Sequence, residues 1–252
     1  MINFGTGQLI AVPTTLADGS AIATPTPVRL GTIQDVSVDL SVEMKTLYGS
    51  KRYPIAAGQG KGKIAVKAKY AEINGAILGS LFYGKSAAAG IKAAVFDNAQ
   101  TVPASSAYEI TVAPPNSGTF VMDLGVIYSD SGAQLSRVAN APAAGQYMVN
   151  ASGKYTFAAA DASKKVALSY EYSAVSTTGQ VFTITNDVMG YTPSFSLMLQ
   201  NSFNGQNLVM KLNRSVSNKL NIPLKNDDFA LYDFEAEAFA DSAGDLGYIA
   251  LF

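Results

Sequence analysis

The sequence predicts a mainly-β protein: a β-sandwich or barrel with one flanking α-helix, into which a second, smaller β-sandwich is inserted. Three observations predict it. Asp35–Tyr48 alternates for about ten residues, Val36, Val38, Leu40, Val42 and Met44 against Asp35, Ser37, Asp39, Ser41, Glu43 and Lys45, the period of a strand with one buried and one wet face. Apolar residues make up 48 % of the chain and charged residues only 15 %, with Ala, Gly, Ser, Val and Thr abundant, which suits a β-rich protein of small side chains. From residue 97 to residue 180 the long strands give way to short apolar runs between turn clusters, and longer strands then resume. The chain therefore divides into 1–96, the first part of the main domain, 97–180, the inserted module, and 181–252, the second part of the main domain.

In chain order, Gln8–Val12 is a short apolar piece and Pro13–Pro27 an irregular loop that could form an arm. Asp35–Tyr48 follows. Gly49-Ser50, Pro54 and the three glycines of GQGKGK mark Thr46–Lys63 as a long loop. In Lys61–Tyr70, Ile64, Val66, Ala68 and Tyr70 oppose Lys63, Ala65, Lys67 and Lys69, so this strand pairs with Asp35–Tyr48 and sets lysines against its acids. Ile73, Ala76, Ile77 and Leu81 share one face of a short helix over Glu72–Tyr83. Gly75 and Gly79 weaken that helix by about 1 kcal/mol each, so packing on the sheet must hold it.

The module offers six short strands: Tyr108–Val112, Phe120–Tyr128, Leu135–Val138, Gln146–Asn150, Tyr155–Phe157 and Val166–Tyr172. Asp161, in the turn before the tyrosine-bearing last strand, fits an immunoglobulin-like sandwich. Beyond it, Asn204-Gly205 joins Ser194–Phe203 to Gln206–Arg214 in a hairpin that sets Leu199 opposite Met210 and Leu197 opposite Leu212. Asn218–Asp228 reads as a polar loop and Phe229–Phe239 as the last long strand, with Asp233, Glu235 and Glu237 on one parity. The apolar YIALF that follows needs cover, from the core or from a neighbour.

The chain contains no Cys, His or Trp. Disulfides, thiolate nucleophiles and Cys-based zinc sites are thereby excluded. The usual general base and the commonest metal ligand are also missing, which disfavours an enzyme. The net charge of −1 gives no global basic footprint for nucleic acid. No transmembrane helix and no secretory leader stand out, so no membrane anchor is expected. GQGKGK lacks the phosphate-loop spacing and lies between strands, and the sequons at Asn150 and Asn213 read as chance matches. Asp123, Asp130 and Asn226-Asp227-Asp228 lack calcium-loop spacing. Asp35, Asp39 and Glu43 with Asp233, Glu235 and Glu237 could form a carboxylate cluster, but no aromatic stripe accompanies them, and a solvated acidic face is the plainer reading. No cofactor and no metal is expected.

Two stretches carry a resemblance. Leu47–Gly84 resembles the strand–loop–strand–helix unit of tail tube proteins of long-tailed bacteriophages, and Gly118–Tyr172 resembles a β-module inserted in phage tail proteins. The closing DFEAEAFADSAGDLGYIALF is similar to the family's final strand and tail. The resemblance implies a virion protein, made in the bacterial cytoplasm, without enzymatic activity. Its subunits would form hexameric rings that stack into a hollow tube conducting DNA to the host at ejection. Its partners would be further copies, baseplate, terminator and possibly sheath proteins, and passing DNA without specific binding. Under that reading Asp35, Ser37, Asp39, Ser41, Glu43, Asp233, Glu235 and Glu237 are candidates to line the lumen. An acidic, hydroxyl-rich lining would let phosphate slide, and Lys63, Lys67 and Lys69 depart from that pattern. Another tail or baseplate component, a carbohydrate-binding or adhesion module, and a carboxylate-dependent hydrolase are the competing readings.

Overall fold

A computed structural model describes the chain except for residues 1–3, 73, 74, 76, 187 and 188. The fold is mainly β and divides into two compact units, one made of residues up to Ala87 together with Phe182–Phe252, the other of Ala88–Val181. Strands β1 (Gln8–Thr15), β2 (Val28–Leu30), β3 (Ile33–Tyr48) and β4 (Pro54–Tyr70) open the first unit. The second unit holds β5 (Ala88–Ala89), β6 (Ile91–Thr101), β7 (Glu109–Thr111), β8 (Thr119–Tyr128), β9 (Ser136–Arg137), β10 (Gln146–Val149), β11 (Lys154–Phe157), β12 (Lys165–Ala174) and β13 (Gln180–Val181). Strands β14 (Ser194–Phe203), β15 (Gln206–Asn221), β16 (Tyr232–Phe239) and β17 (Gly247–Leu251) complete the first.

The first unit is one antiparallel sheet in the order β2-β1-β14-β15-β16-β4-β3, with β17 paired to β15 off this path. It is open, not a closed barrel: among the described residues β2 and β3 are its edges. β15 is long enough to serve two partners on one flank, β17 along Leu208–Leu212 and β16 along Arg214–Asn221. Alternation decides which face is buried. Leu9, Leu197, Leu199, Met210, Leu212, Val66 and Phe234 point into a common core, with Val36, Val38 and Ile64 packed against it. The Asn204-Gly205 hairpin has the expected register, Leu199 opposite Met210 and Leu197 opposite Leu212, and both turn residues have the positive φ that its two-residue loop requires.

Three elements of the first unit differ from expectation. The helix is a short π-helical segment, α1 (Ile77–Tyr83), of which Ile77 and Leu81 are fully buried; Ile73 and Ala76 lie outside the described residues. At Gly79 a Cβ would come within 2.0 Å of the Phe182 ring, so the close approach needs glycine there. Thr46–Lys63 is not a long loop but the outer part of the β3–β4 hairpin, turning only between Tyr48 and Pro54. Gly58, Gly60 and Gly62 are strand residues, Gly62 facing Val42 and Gly58 facing Lys45; a Cβ at Gly58 would meet open space, whereas one at Gly60 would lie 3.3–3.4 Å from Lys45 and Glu43. Likewise β15 runs to Asn221, so the loop expected from Asn218 begins at Ile222, and β16 begins at Tyr232, leaving Phe229 in that loop.

The second unit is a small sandwich. The sheets β6-β12-β8 and β7-β11-β10-β9 share one core containing Val126, Leu168, Tyr170, Tyr147, Tyr155 and Phe157. Each of the six short strands expected from the sequence has its counterpart. The unit begins earlier than residue 97, which falls inside β6, whose Ile91, Ala93 and Val95 pack against this core. The closing YIALF is paired through its backbone, β17 with β15 and Phe252 with Asn207 by both main-chain hydrogen bonds, but its Tyr248, Ile249, Leu251 and Phe252 side chains remain exposed, so its own chain does not cover them.

Candidate functional site

The expected lumen residues converge on the wet face of β3, β4 and β16. β4 lies between the two acidic strands, and the registers align them in rows. Asp35, Lys69 and Asp233 form one row; Ser37, Lys67 and Glu235 the next; Asp39, Ala65 and Glu237 the third; Ser41 and Lys63 the fourth. With neighbouring strands ~4.8 Å apart, the carboxylates of β3 and β16 stand about 10 Å from each other across the lysines. Glu43 is set apart. It lies at a bulge, beside Gly60, where the hairpin leaves the body of the sheet.

The lysine row changes the electrostatics expected of this face. Lys63 binds Glu237 at 2.5 Å, and on the other flank of β16 Lys219 binds Glu235 at 3.1 Å. Asn218 donates to Glu237 and Asn221 to Asp233. The acids Asp35, Asp39, Asp233, Glu235 and Glu237 are thus interleaved with Lys63, Lys67, Lys69 and Lys219. The face is a near-balanced ladder and not the acidic lining the sequence suggests, because β4 was placed opposite β3 alone and not between two acidic strands. The paired groups remain partly exposed, so each ion pair contributes about 0–1 kcal/mol and serves mainly to fix register.

Chemistry at this face has little to work with. The depression along Asp35, Ser37, Lys67, Lys69, Asp233 and Glu235 encloses about 110 Å³, well below the ~300 Å³ at which small-molecule sites begin. Among the described residues no group of three or more Asp and Glu is placed to hold a metal ion. GQGKGK sits in β4 with no helix after it, which removes the phosphate-loop geometry. A larger cleft of about 530 Å³, lined by Leu16, Ala17, Asp18, Gly84, Lys85, Ser86 and Tyr191, contains none of the candidate residues, and its Asp18 carboxylate is engaged by Ser20.

The feature that sequence reasoning missed is the arm. Beyond Ser41 and Lys63 both faces of the β3–β4 hairpin are exposed, and the apolar parity that is core-facing at Val36 and Val38 continues into solvent as Leu40, Val42 and Met44. Leu47, Tyr48, Tyr53 and Ile55 are exposed near its tip. Among the described residues the outer edge of β3 has no strand partner, nor has the outer edge of β17. The signal was present: Gly58, Gly60 and Gly62 recur every second residue, the spacing of a strand, although glycine clusters ordinarily punctuate loops.

The second unit holds two carboxylates whose side chains are buried, Asp161 and Asp123. Asp161 is fully buried and accepts hydrogen bonds from Tyr128 Oη (2.7 Å), Gly145 N (3.0 Å) and Lys164 Nζ (2.7 Å). Burial pushes its pKa up, but these donors outweigh it and hold the carboxyl below the ordinary range. Asp123 accepts from Tyr147 Oη, Tyr155 Oη and Gly125 N. Burial, reinforced by that carboxylate, pushes both tyrosines above their ordinary value. Their donors all lie within the unit, so the two acids lock the sandwich.

No protein-family model matches the chain, and no curated protein matches it in sequence. No described helix is long and apolar enough to cross a membrane.

Proposed function

We propose that the chain is a structural subunit of a bacteriophage tail tube, assembling in stacked hexameric rings around a DNA conduit and catalysing no reaction. One observation carries the reading. The first unit extends a two-stranded arm with apolar side chains exposed on it, from an open sheet whose edges at β3 and β17 are unpaired among the described residues. A long exposed strand edge invites pairing with another chain, and an exposed apolar sheet face invites cover. A protein that carries both is suited to a polymer of itself. The resemblance of Leu47–Gly84 and of the closing segment to tail tube proteins supports the same reading, and it names the polymer.

In that assembly the wet face of β3, β4 and β16 is the candidate lumen surface. Its alternating acids and lysines would leave passing DNA with little net attraction or repulsion, and a near-neutral lining serves a conduit as well as an acidic one, since neither holds phosphate. Partners beyond further copies would be the tail proteins at either end of the tube.

Electron microscopy of the purified protein at high concentration, together with its mass in solution, tests the proposal. Rings or hollow cylinders of uniform diameter are expected. A monomer at every concentration, with or without purified tail tips as nuclei, would count against it. Binding on a glycan array by such a monomer would favour an adhesion module.

A further inference from the structure

We infer that the tip of the β3–β4 arm binds, on a second copy of this chain, the loop 222–231 at the opposite end of the same strands, so that copies join head to tail along the arm. The inference rests on the tube-subunit reading and names the contact that would stack its copies.

The two surfaces are fixed by register. Tyr70 pairs with both Ile33 and Tyr232, so the loop between β15 and β16 lies at the base of the hairpin whose tip is residues 49–53. Some fifteen strand residues, about 50 Å, separate the two. They therefore cannot cover one another within one chain.

Their chemistry is complementary. The arm carries Lys45, Lys51, Arg52 and Lys61, and no acid occurs between Glu43 and Glu72. It exposes Tyr53 and Ile55 (76 % and 68 %) beside this charge. The base loop exposes Leu224 and Phe229 even further (91 % and 86 %) and carries Asp227 and Asp228; Lys225, its one base, pairs with Asp228 at 3.2 Å, which leaves the loop a net charge of −1, that of Asp227. Each side thus offers apolar anchors with charge of opposite sign around them. Two different surfaces at opposite ends of the same strands form a heterologous contact, which propagates when the rotation between copies does not close. A nucleic acid would answer the lysines and tyrosines of the arm, but not its Leu47 and Ile55, nor the exposed Leu224 and Phe229 at the other end.

Because the chain has no cysteine, single thiols report this contact without background. Tyr53→Cys and Phe229→Cys proteins are prepared separately, mixed at assembling concentration and oxidised. A disulfide-linked dimer is expected in the mixture, in about tenfold excess over either protein alone. Independently, Lys51→Glu with Arg52→Glu should raise the concentration needed for assembly about tenfold at unchanged thermal melting, and Asp227→Lys with Asp228→Lys in the other protein should restore it. Rings or tubes that form with no mixed cross-link would overturn the inference and leave the tube reading standing. A monomer that neither assembles nor cross-links would overturn both. A duplex-DNA mobility shift lost in the Lys51→Glu, Arg52→Glu protein, again without cross-link, would assign the arm to nucleic acid instead.

Discussion

The two units solve the same β-sheet problem in opposite ways. The second is self-sufficient: its two sheets enclose one aromatic core, and its buried acids Asp123 and Asp161 find all their donors inside the unit. The first is unfinished when taken alone. Its sheet is open, its arm exposes apolar side chains on a hairpin covered on neither face, and its buried polar atoms Tyr70 Oη, Asn201 Oδ1 and Ser215 Oγ have no hydrogen-bond partner among the described residues. A unit that satisfies itself needs only to be carried, whereas one with free edges and uncovered apolar surface gains stability from a neighbour. The difference puts the surfaces open to a neighbour, under the proposed assembly, on the long strands of the first unit.

The sharpest way to break that comparison is to charge the two parities of the first unit. Val66 lies between Val38 and Ala236 and is almost fully buried, so Val66→Asp places an unpaired carboxylate in the core at a cost of about 5 kcal/mol and should abolish folding of that unit. Ser41→Asp, on the wet face, should stay within about 0.5 kcal/mol of the parent. Leu40→Asp is the informative variant. Leu40 has core parity but is 57 % exposed, so the variant should fold and assemble poorly. Thermal melts followed by far-ultraviolet circular dichroism, with electron microscopy of each variant, check all three. Failure of Leu40→Asp to fold would mean that the arm is covered within its own chain.

The corresponding test of the second unit removes Asp161. Asp161→Ala leaves Tyr128 Oη and Gly145 N without their acceptor and should cost about 3 kcal/mol. Hydrogen exchange should show lost protection in β10 and β12 and unchanged protection in β4 and β16. The same carboxyl makes the unit acid-sensitive. Its folded pKa lies below the ordinary 3.8, so its contribution is complete above that value and is lost as pH falls through the folded one. Protection in β12 should therefore decline below about pH 4 in the parent, and decline less in Asp161→Asn. Parallel decline in both proteins would show that other groups set the acid limit.

Much of this comparison was legible in the sequence, and the gaps have physical causes. Alternation revealed the strands and their buried parity, and Asn204-Gly205 fixed a register, because both signals are local and each admits one geometry. Lys67 and Lys69 were legible as partners of the β3 acids, but the second acidic neighbour, β16, was not, since nothing local reports which distant strand takes the free flank. The arm was hidden by its glycines. The same residues that punctuate loops can line an exposed strand when nothing packs on them, as around Gly58. β6 was missed because its alanines carry little amphipathic contrast and Asp97, at positive φ, interrupts the period. The burial of Asp161 and Asp123 was not legible, because a carboxylate is buried only when several donors meet it. Apart from the nearby Lys164 and Gly125, those donors, Tyr128, Gly145, Tyr147 and Tyr155, lie more than fifteen residues away in sequence.

The smallest effect separates the units most cleanly, because one substitution should act with opposite signs. Tyr70 is fully buried against Tyr232, and its hydroxyl has no partner among the described residues; burial pushes its pKa up to about 12. Its hydroxyl lost water on folding and gained nothing, so Tyr70→Phe removes an uncompensated desolvation and should stabilise the first unit by up to about 1 kcal/mol. Tyr155 is equally buried, but its hydroxyl donates to Asp123 at 2.9 Å, so Tyr155→Phe takes a charge-assisted bond from a buried carboxylate and should destabilise the second unit by about 1.5–3 kcal/mol. Chemical denaturation of the two variants, with exchange protection in β4 and β12 as unit-specific reporters, measures both signs. If Tyr70→Phe instead destabilises the unassembled protein, its hydroxyl has a partner within the chain, and the first unit is more complete alone than its open edges imply. If it is neutral before assembly and harmful after, a neighbouring copy supplies that partner.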